Sequence, residues 1–121
     1  MYQDLNKLYD ALSKSKFRSS FHLKSKDIEY INKNGMDKIK DHTKDFIIDR
    51  LSYLKENDCK QTPYRGHPTF IAMHACGCCC RGCLYKWHKI PKEKELSKDE
   101  IDYIYKVLTT WIENEYKKNS V

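Results

Sequence analysis

The stretch Met36-Asp-Lys-Ile-Lys-Asp-His-Thr-Lys-Asp-Phe-Ile-Ile-Asp-Arg-Leu-Ser-Tyr-Leu54 carries the strongest periodicity in the chain. Ile39, Thr43, Phe46, Ile47, Arg50, Leu51 and Leu54 recur three or four positions apart, which is the period of one helical face. The stretch therefore predicts a helix of about five turns. Asn34-Gly35 just before it is a natural left-handed stop, so a shorter helix capped by Ser25 and carrying Ile28 and Ile31 should end there. Further upstream, Leu5, Leu8, Tyr9 and Leu12 predict an amphipathic helix over residues 2–13. Phe17 and Phe21, four apart in the connector that follows, permit one more turn.

Downstream of the long helix the polar stretch Glu56 to Gly66, with Cys59, Pro63 and Gly66, predicts a loop. Pro68 suits the first turn of a helix that His67 caps; Phe70, Ile71, Met73 and His74 ride on it, and it should fail near Gly77. A second short helix is expected from about Cys79 toward Trp87, stopping at the loop that holds Pro91. Ser97 with Glu100 three residues later forms a capping box, and Leu96 with Ile101 the accompanying staple, for a last helix striped by Ile101, Ile104, Leu108, Trp111 and Ile112. Tyr116 to Val121 reads as a frayed tail. No segment alternates as a strand does. The fold class is therefore mainly α: one small domain over residues 1–121, with about five or six helices, stapled by a Cys/His metal site.

A chain of 121 residues is about one domain, too short for a barrel enzyme or a dinucleotide fold with a substrate domain attached. Hydrophobic residues make up 40% and charged residues 33%, and 9 tyrosines contribute to the apolar share, so the core is modest and a bound metal is a plausible staple. No apolar run reaches membrane-spanning length and no secretory leader opens the sequence, which predicts a cytoplasmic protein without a membrane partner. The net charge of +6 favours anionic partners, although 19 Lys against 4 Arg looks more like a solubilising bias than a recognition code.

Cysteine usage is the chief departure from an ordinary composition. Five of the six cysteines, Cys76, Cys78, Cys79, Cys80 and Cys83, lie within one short stretch, where they cannot bridge distant segments as a secreted disulfide framework does. The segment 67–88 adds His67, His74 and His88, and thiols with imidazoles are the ligands that zinc prefers. Cys80-x-x-Cys83 lets two sulfurs converge in one tight turn. The ligand set this predicts is His74, Cys80, Cys83 and His88, with Cys79, His67 or Cys76 as replacements; thiols buried with no ligand role are the competing reading. Geometry restricts the set. His67 and His74 sit about 10 Å apart along a straight helix, so at most one can bind, and Cys83 and His88 sit about 7.5 Å apart unless the helix bends or ends before His88. Cys80-x2-Cys83-x4-His88 matches three ligands of a nucleic-acid-binding zinc knuckle, but Glu93 stands where the fourth Cys belongs. Cys76-x3-Cys80-x2-Cys83 has the spacing of a radical iron–sulfur motif, though Gly82 replaces the usual aromatic and the barrel that houses this chemistry is missing. A thioredoxin-like redox pair would need strands around Cys80 and Cys83, and the pattern offers none.

At these residues, and at Ser13-Lys-Ser-Lys-Phe-Arg-Ser-Ser-Phe-His-Leu23 and Lys60-Gln-Thr-Pro-Tyr-Arg-Gly-His-Pro68, the sequence resembles a bacterial family known as domain of unknown function 4186. The resemblance runs from about Ser13 to Ile112 and leaves the helix of residues 1–12 outside it. Arg18, Phe21, Arg65, Gly66, His67, Pro68, His74, Cys79, Cys80, Arg81, Cys83, Trp87 and His88 match family-typical positions. Cys76 and Cys78 depart from the pattern, which places small or hydroxyl residues there, and this counts against them as ligands. The resemblance implies no activity. It does imply a compact, self-standing domain in which the Cys-Cys-Arg-x-Cys and Trp-His elements share one site.

Three of the four arginines, Arg18, Arg65 and Arg81, adjoin these motifs and could line an anion pocket beside the metal; bracing helix ends is their alternative use. Trp87 and Trp111 lie on apolar stripes and are expected in the core, with base stacking by Trp87 a lesser alternative. His22 and His42 are expected to be structural, Cys59 a loop thiol, and Lys92 to Glu95 a solvated surface. Three classes of function follow, in this order. The first is a zinc-bound module for an anionic partner such as nucleic acid. The second is a metal-dependent enzyme with an open zinc position acting on an anionic substrate, with His67 or His74 carrying protons; the motif holds no Glu or Asp to serve as its base. The third is an iron–sulfur or thiol redox sensor using Cys76, Cys78 and Cys79 beside Arg81.

Overall fold

The computed structural model describes residues 4–52, 62–92 and 94–119. These hold seven α-helices and no strand. In chain order they are α1 (Leu5–Ser13), α2 (Lys16–Ser19), α3 (Ser25–Asn34), α4 (Met36–Ile47), α5 (Pro68–Ala75), α6 (Arg81–His88) and α7 (Lys98–Asn119).

The helix ends follow from local chemistry. The Asp4 carboxylate accepts the N–H groups of Asn6 and Lys7 and so starts α1. Gly35, at φ 88, closes α3 and opens α4, a backbone region that L side chains rarely adopt. Ser97 Oγ accepts the Glu100 N–H at 3.1 Å while the Glu100 carboxylate accepts the Ser97 N–H at 2.8 Å, the reciprocal box that the sequence announces for α7.

Three elements differ from expectation. The cap of α3 is Lys24, whose N–H bonds the Asp27 carboxylate at 2.9 Å, and not Ser25, which is its first helical residue. The periodic stretch after Met36 is α-helical only to Ile47 and continues as a π-helical turn over Ile48–Ser52; Leu54 lies outside the described residues, as does Cys59. The Leu51 carbonyl at this end goes instead to the Arg81 guanidinium, 2.8 Å away. At the other end of the chain, α7 runs through Asn119 where fraying was expected from Tyr116. Tyr116 reaches across to the Asn32 side chain of α3, and the Asn119 amide bonds the Glu115 carbonyl at 2.8 Å, so the last turn has partners that the sequence alone does not reveal.

Packing centres on α5 and α7. The long helix α7 lies against α3, α4 and α5, while α5 also packs on α4 and α2. All eight residues of α5 are buried. Thr43 of α4 gives its hydroxyl proton to the Ile39 carbonyl, so the Thr69 hydroxyl of α5 donates to Thr43 at 2.9 Å and pins the two helices together. Around this bond Ile39, Ile47, Leu51, Met73, Ile104 and Leu108 form the interior.

The exit from α5 is a Schellman turn. The Cys78 N–H bonds the Met73 carbonyl at 2.8 Å, the Gly77 N–H bonds the His74 carbonyl at 3.4 Å, and Gly77 takes φ 70. A Cβ on Gly77 would stand 2.7 Å from the Trp87 ring, so the turn also lets α6 fold back against the end of α5. We expect Gly77→Ala to cost about 2 kcal/mol or more, because a strained φ adds to a clash. Gly82→Ala, whose Cβ would meet only Cys80 Sγ at 3.8 Å, should be neutral or slightly stabilising. Urea denaturation of both variants checks this, and equal effects would contradict it.

His67 opens α5. Its Nδ1 accepts the Thr69 N–H at 3.0 Å, so the neutral ring carries its proton on Nε2, directed at His42 Nδ1 at 3.0 Å. Burial, with His42 beside it, brings His67 from the ordinary 6.5 down to about 4. The unfolded chain thus binds a proton that the folded chain refuses. The stabilisation is complete above pH 6.5 and about 3 kcal/mol of it is lost as the pH falls to 4. Stability measured against pH should show a flatter acid limb over this range in His67→Asn, which can cap but does not titrate; a limb of unchanged steepness would contradict the assignment.

Candidate metal centre

The end of α5, the turn after it and the start of α6 place three cysteines together. Cys80 is the N-cap of α6, extended at φ −160, and its Sγ accepts the Cys83 N–H at 3.4 Å. Cys79 precedes it, and Cys83 lies in the first turn of α6. Among the described residues, Cys79, Cys80 and Cys83 form a group whose sulfurs all lie within 4.8 Å of one another, with Cys79 buried and the other two half-buried. Sulfurs this close can share one thiophilic ion.

Arg18, from α2, is the fourth member of the cluster. Its side chain is 8% exposed, and its guanidinium donates to the His74 carbonyl at 2.7 Å, to Cys79 Sγ at 3.5 Å and to Cys83 Sγ at 3.2 Å. No carboxylate among the described residues pairs with it. A buried cation requires a counter-charge, and here it faces sulfur. The Cys79 and Cys83 sulfurs stand 3.4 Å apart, within hydrogen-bond distance. The hydrogen bond with Cys83, together with Arg18, brings Cys79 from 9.0 down to about 7, whereas the same contact and burial push Cys83 up. Thiolate character is thus concentrated beside the guanidinium. The Thr62 hydroxyl donates to the Cys79 carbonyl at 2.7 Å and fixes the backbone of the cluster from a third segment.

The structure brings Cys80 and Cys83 together and adds Cys79, which the sequence offered only as a replacement. It does not bring His74, His88 or His67 into the group. His74 Nε2 donates to the Thr62 carbonyl at 2.8 Å, and its ring is stacked under Tyr64 at 4.2 Å and beside Phe21 at 5.4 Å. α6 runs unbroken through His88, which keeps that ring away from Cys83 along the helix axis. Both His88 nitrogens are engaged: Nδ1 with the Tyr103 hydroxyl at 2.6 Å, and Nε2 with the Cys76 carbonyl at 2.8 Å. Burial lowers the pKa of His88, so the ring is neutral. His67 is spent as the cap at the far end of α5. Cys76 and Cys78 are fully buried, and burial pushes both thiols up.

The three arginines do not line one anion pocket. Arg81, 1% exposed, donates to the carbonyls of Leu51, Pro91 and Lys94, so its fork is spent on closing the loop ends around α6. Arg65 is exposed in the bend before α5, and Arg18 faces the sulfurs. Trp87 and Trp111 are half-buried against the core, in keeping with their stripes. His22 faces the buried Glu115 carboxylate at 3.3 Å, and His42 meets His67, so both have structural partners. Thr62 is the contributor that sequence reasoning missed, because its partners lie 12 and 17 positions away and no spacing rule marks it.

No solved structure matches the chain. The model of the family described as Domain of unknown function (DUF4186) matches residues 6–113, beginning within α1 and so taking in part of the helix that the resemblance left outside. With most of its length covered by that match, this chain belongs to the DUF4186 family.

Proposed function

We propose that the chain is a small helical binding module organised around one zinc-type ion held by Cys79, Cys80 and Cys83, with a basic surface for an anionic partner such as nucleic acid. The observation that carries the reading is the convergence of three sulfurs, two of which face a buried guanidinium that no carboxylate among the described residues pairs with. Three thiolates and a divalent ion leave a net charge of −1, which Arg18 neutralises, so the whole centre can be buried without an uncompensated charge. When bound, the ion supplies a cross-link among sulfurs that a domain of this size gains from. The residues around it hold the ligands: Arg18 by hydrogen bonds to two sulfurs, the Cys83 N–H by a bond to the third, and Thr62 through the Cys79 carbonyl.

A three-ligand group also favours a second reading, an enzyme with an open metal position acting on an anionic substrate. Against it stands the absence of any Asp or Glu from residues 59–92, which leaves no carboxylate base in the motif itself. An iron–sulfur or thiol sensor is the third reading, and brown absorbance of the purified protein would select it over zinc.

Metal analysis of the purified chain should find about one ion per molecule. Cys83→Ser should lose that ion and melt about 10 °C lower, while Cys78→Ala, outside the sulfur group, should keep it. Retention by Cys83→Ser, or equal loss from both variants, would overturn the assignment.

A further inference from the structure

The acidic residues are segregated along the chain. Asp and Glu are absent from two stretches, residues 11–26 and 59–92, which carry five and six Lys or Arg respectively. These stretches meet in space: α2 of the first packs on α5 of the second, and Arg18 reaches the cysteines. With Arg18 and Arg81 buried, eight cations of the two stretches remain exposed among the described residues, Lys16 and Arg65 among them. The same region displays aromatic rings. Phe17 is 49% exposed and Tyr64 62% exposed, and the half-buried Phe21 links them at centroid distances of 5.2 and 6.1 Å. Tyr64 is stacked on the buried His74 ring, nearly parallel at 7°, while most of its own surface stays exposed.

We propose that this basic, aromatic face, on which Asp10 pairs with Lys14 and Glu115 with His22, binds single-stranded nucleic acid, with bases stacked on Tyr64 and Phe17 and phosphates met by Lys16 and Arg65. The proposal rests on the binding-module reading and specifies its partner. A surface with cations in excess attracts any polyanion, so charge alone selects no occupant. The rings do select one. Unpaired bases offer π-faces to exposed aromatics, whereas in a duplex the bases are already stacked on each other and only the phosphates are presented. Tyr64 is supported from beneath by His74, which is itself held by Thr62, so the platform needs no rearrangement to accept a base.

The test is fluorescence anisotropy of the metal-loaded chain with labelled oligothymidine, with the same strand annealed to its complement, and with vesicles of anionic phospholipid. Single strands should bind more tightly than duplex or vesicles. Tyr64→Ala and Phe17→Ala should each weaken single-strand binding about tenfold or more with little change in duplex binding, and Arg65→Gln should reduce the slope of log affinity against log salt by about 0.7. Melting temperature and metal content of each variant establish that the fold is retained. Equal affinity for duplex, tighter binding to vesicles, or unchanged single-strand binding in both aromatic variants would overturn the proposal. A metal-bearing chain that binds no single strand defeats this inference alone; a strand-binding chain without metal defeats the metal centre and leaves the inference standing.

Discussion

A guanidinium taken out of water costs several kcal/mol unless its charge is answered, and Arg18 is buried with two sulfurs and one carbonyl as its partners. That contact ties three distant parts of the chain into one unit: the short helix α2, the carbonyl end of α5 and the first turn of α6. The geometry around it follows. α5 has to end at Gly77 so that the chain can reverse, Cys80 has to be extended to cap α6, and Arg81 has to be held elsewhere by carbonyls so that it does not compete for the sulfurs. The requirement that Arg18 have an anionic neighbour links the fold to its chemistry.

Much of the helical layout is legible in the sequence because amphipathic helices write their buried face at a period of 3.6 residues. Ile39, Thr43, Ile47 and Leu51 are all buried, as their spacing implies. Buried on every side, α5 shows no stripe, yet His67, Pro68 and Gly77 mark its ends by capping chemistry alone. What the pattern cannot express is the change of pitch after Ile47 or the support for Tyr116 from α3, since both depend on partners far along the chain. The site divides in the same way. Cys80 and Cys83 are readable because their convergence is a local turn. His74 and His88 are not, because an imidazole's role depends on what faces its second nitrogen, here Thr62 and the Tyr103–Cys76 pair. The arginines mislead for a related reason: adjacency in sequence puts Arg81 beside the thiols, while its helix turns it toward Leu51 and Pro91.

The carboxylate-free stretches and the sulfur cluster coincide, and the coincidence has a physical sense. Within residues 59–92, thiolates are the acidic side chains available to balance a buried cation, and they do so at the one point where Arg18 enters. Elsewhere on that surface cations are in excess, with Lys14 paired to Asp10, beside exposed rings. A neutralised interior next to a cation-rich exterior is an arrangement that holds its own shape while attracting an anionic partner.

X-ray absorption at the edge of the bound metal tests the central claim most directly, because it counts sulfur neighbours. The account predicts three sulfurs at about 2.3 Å around a divalent ion. A shell dominated by imidazole nitrogen, or one with fewer than three sulfurs, would contradict it.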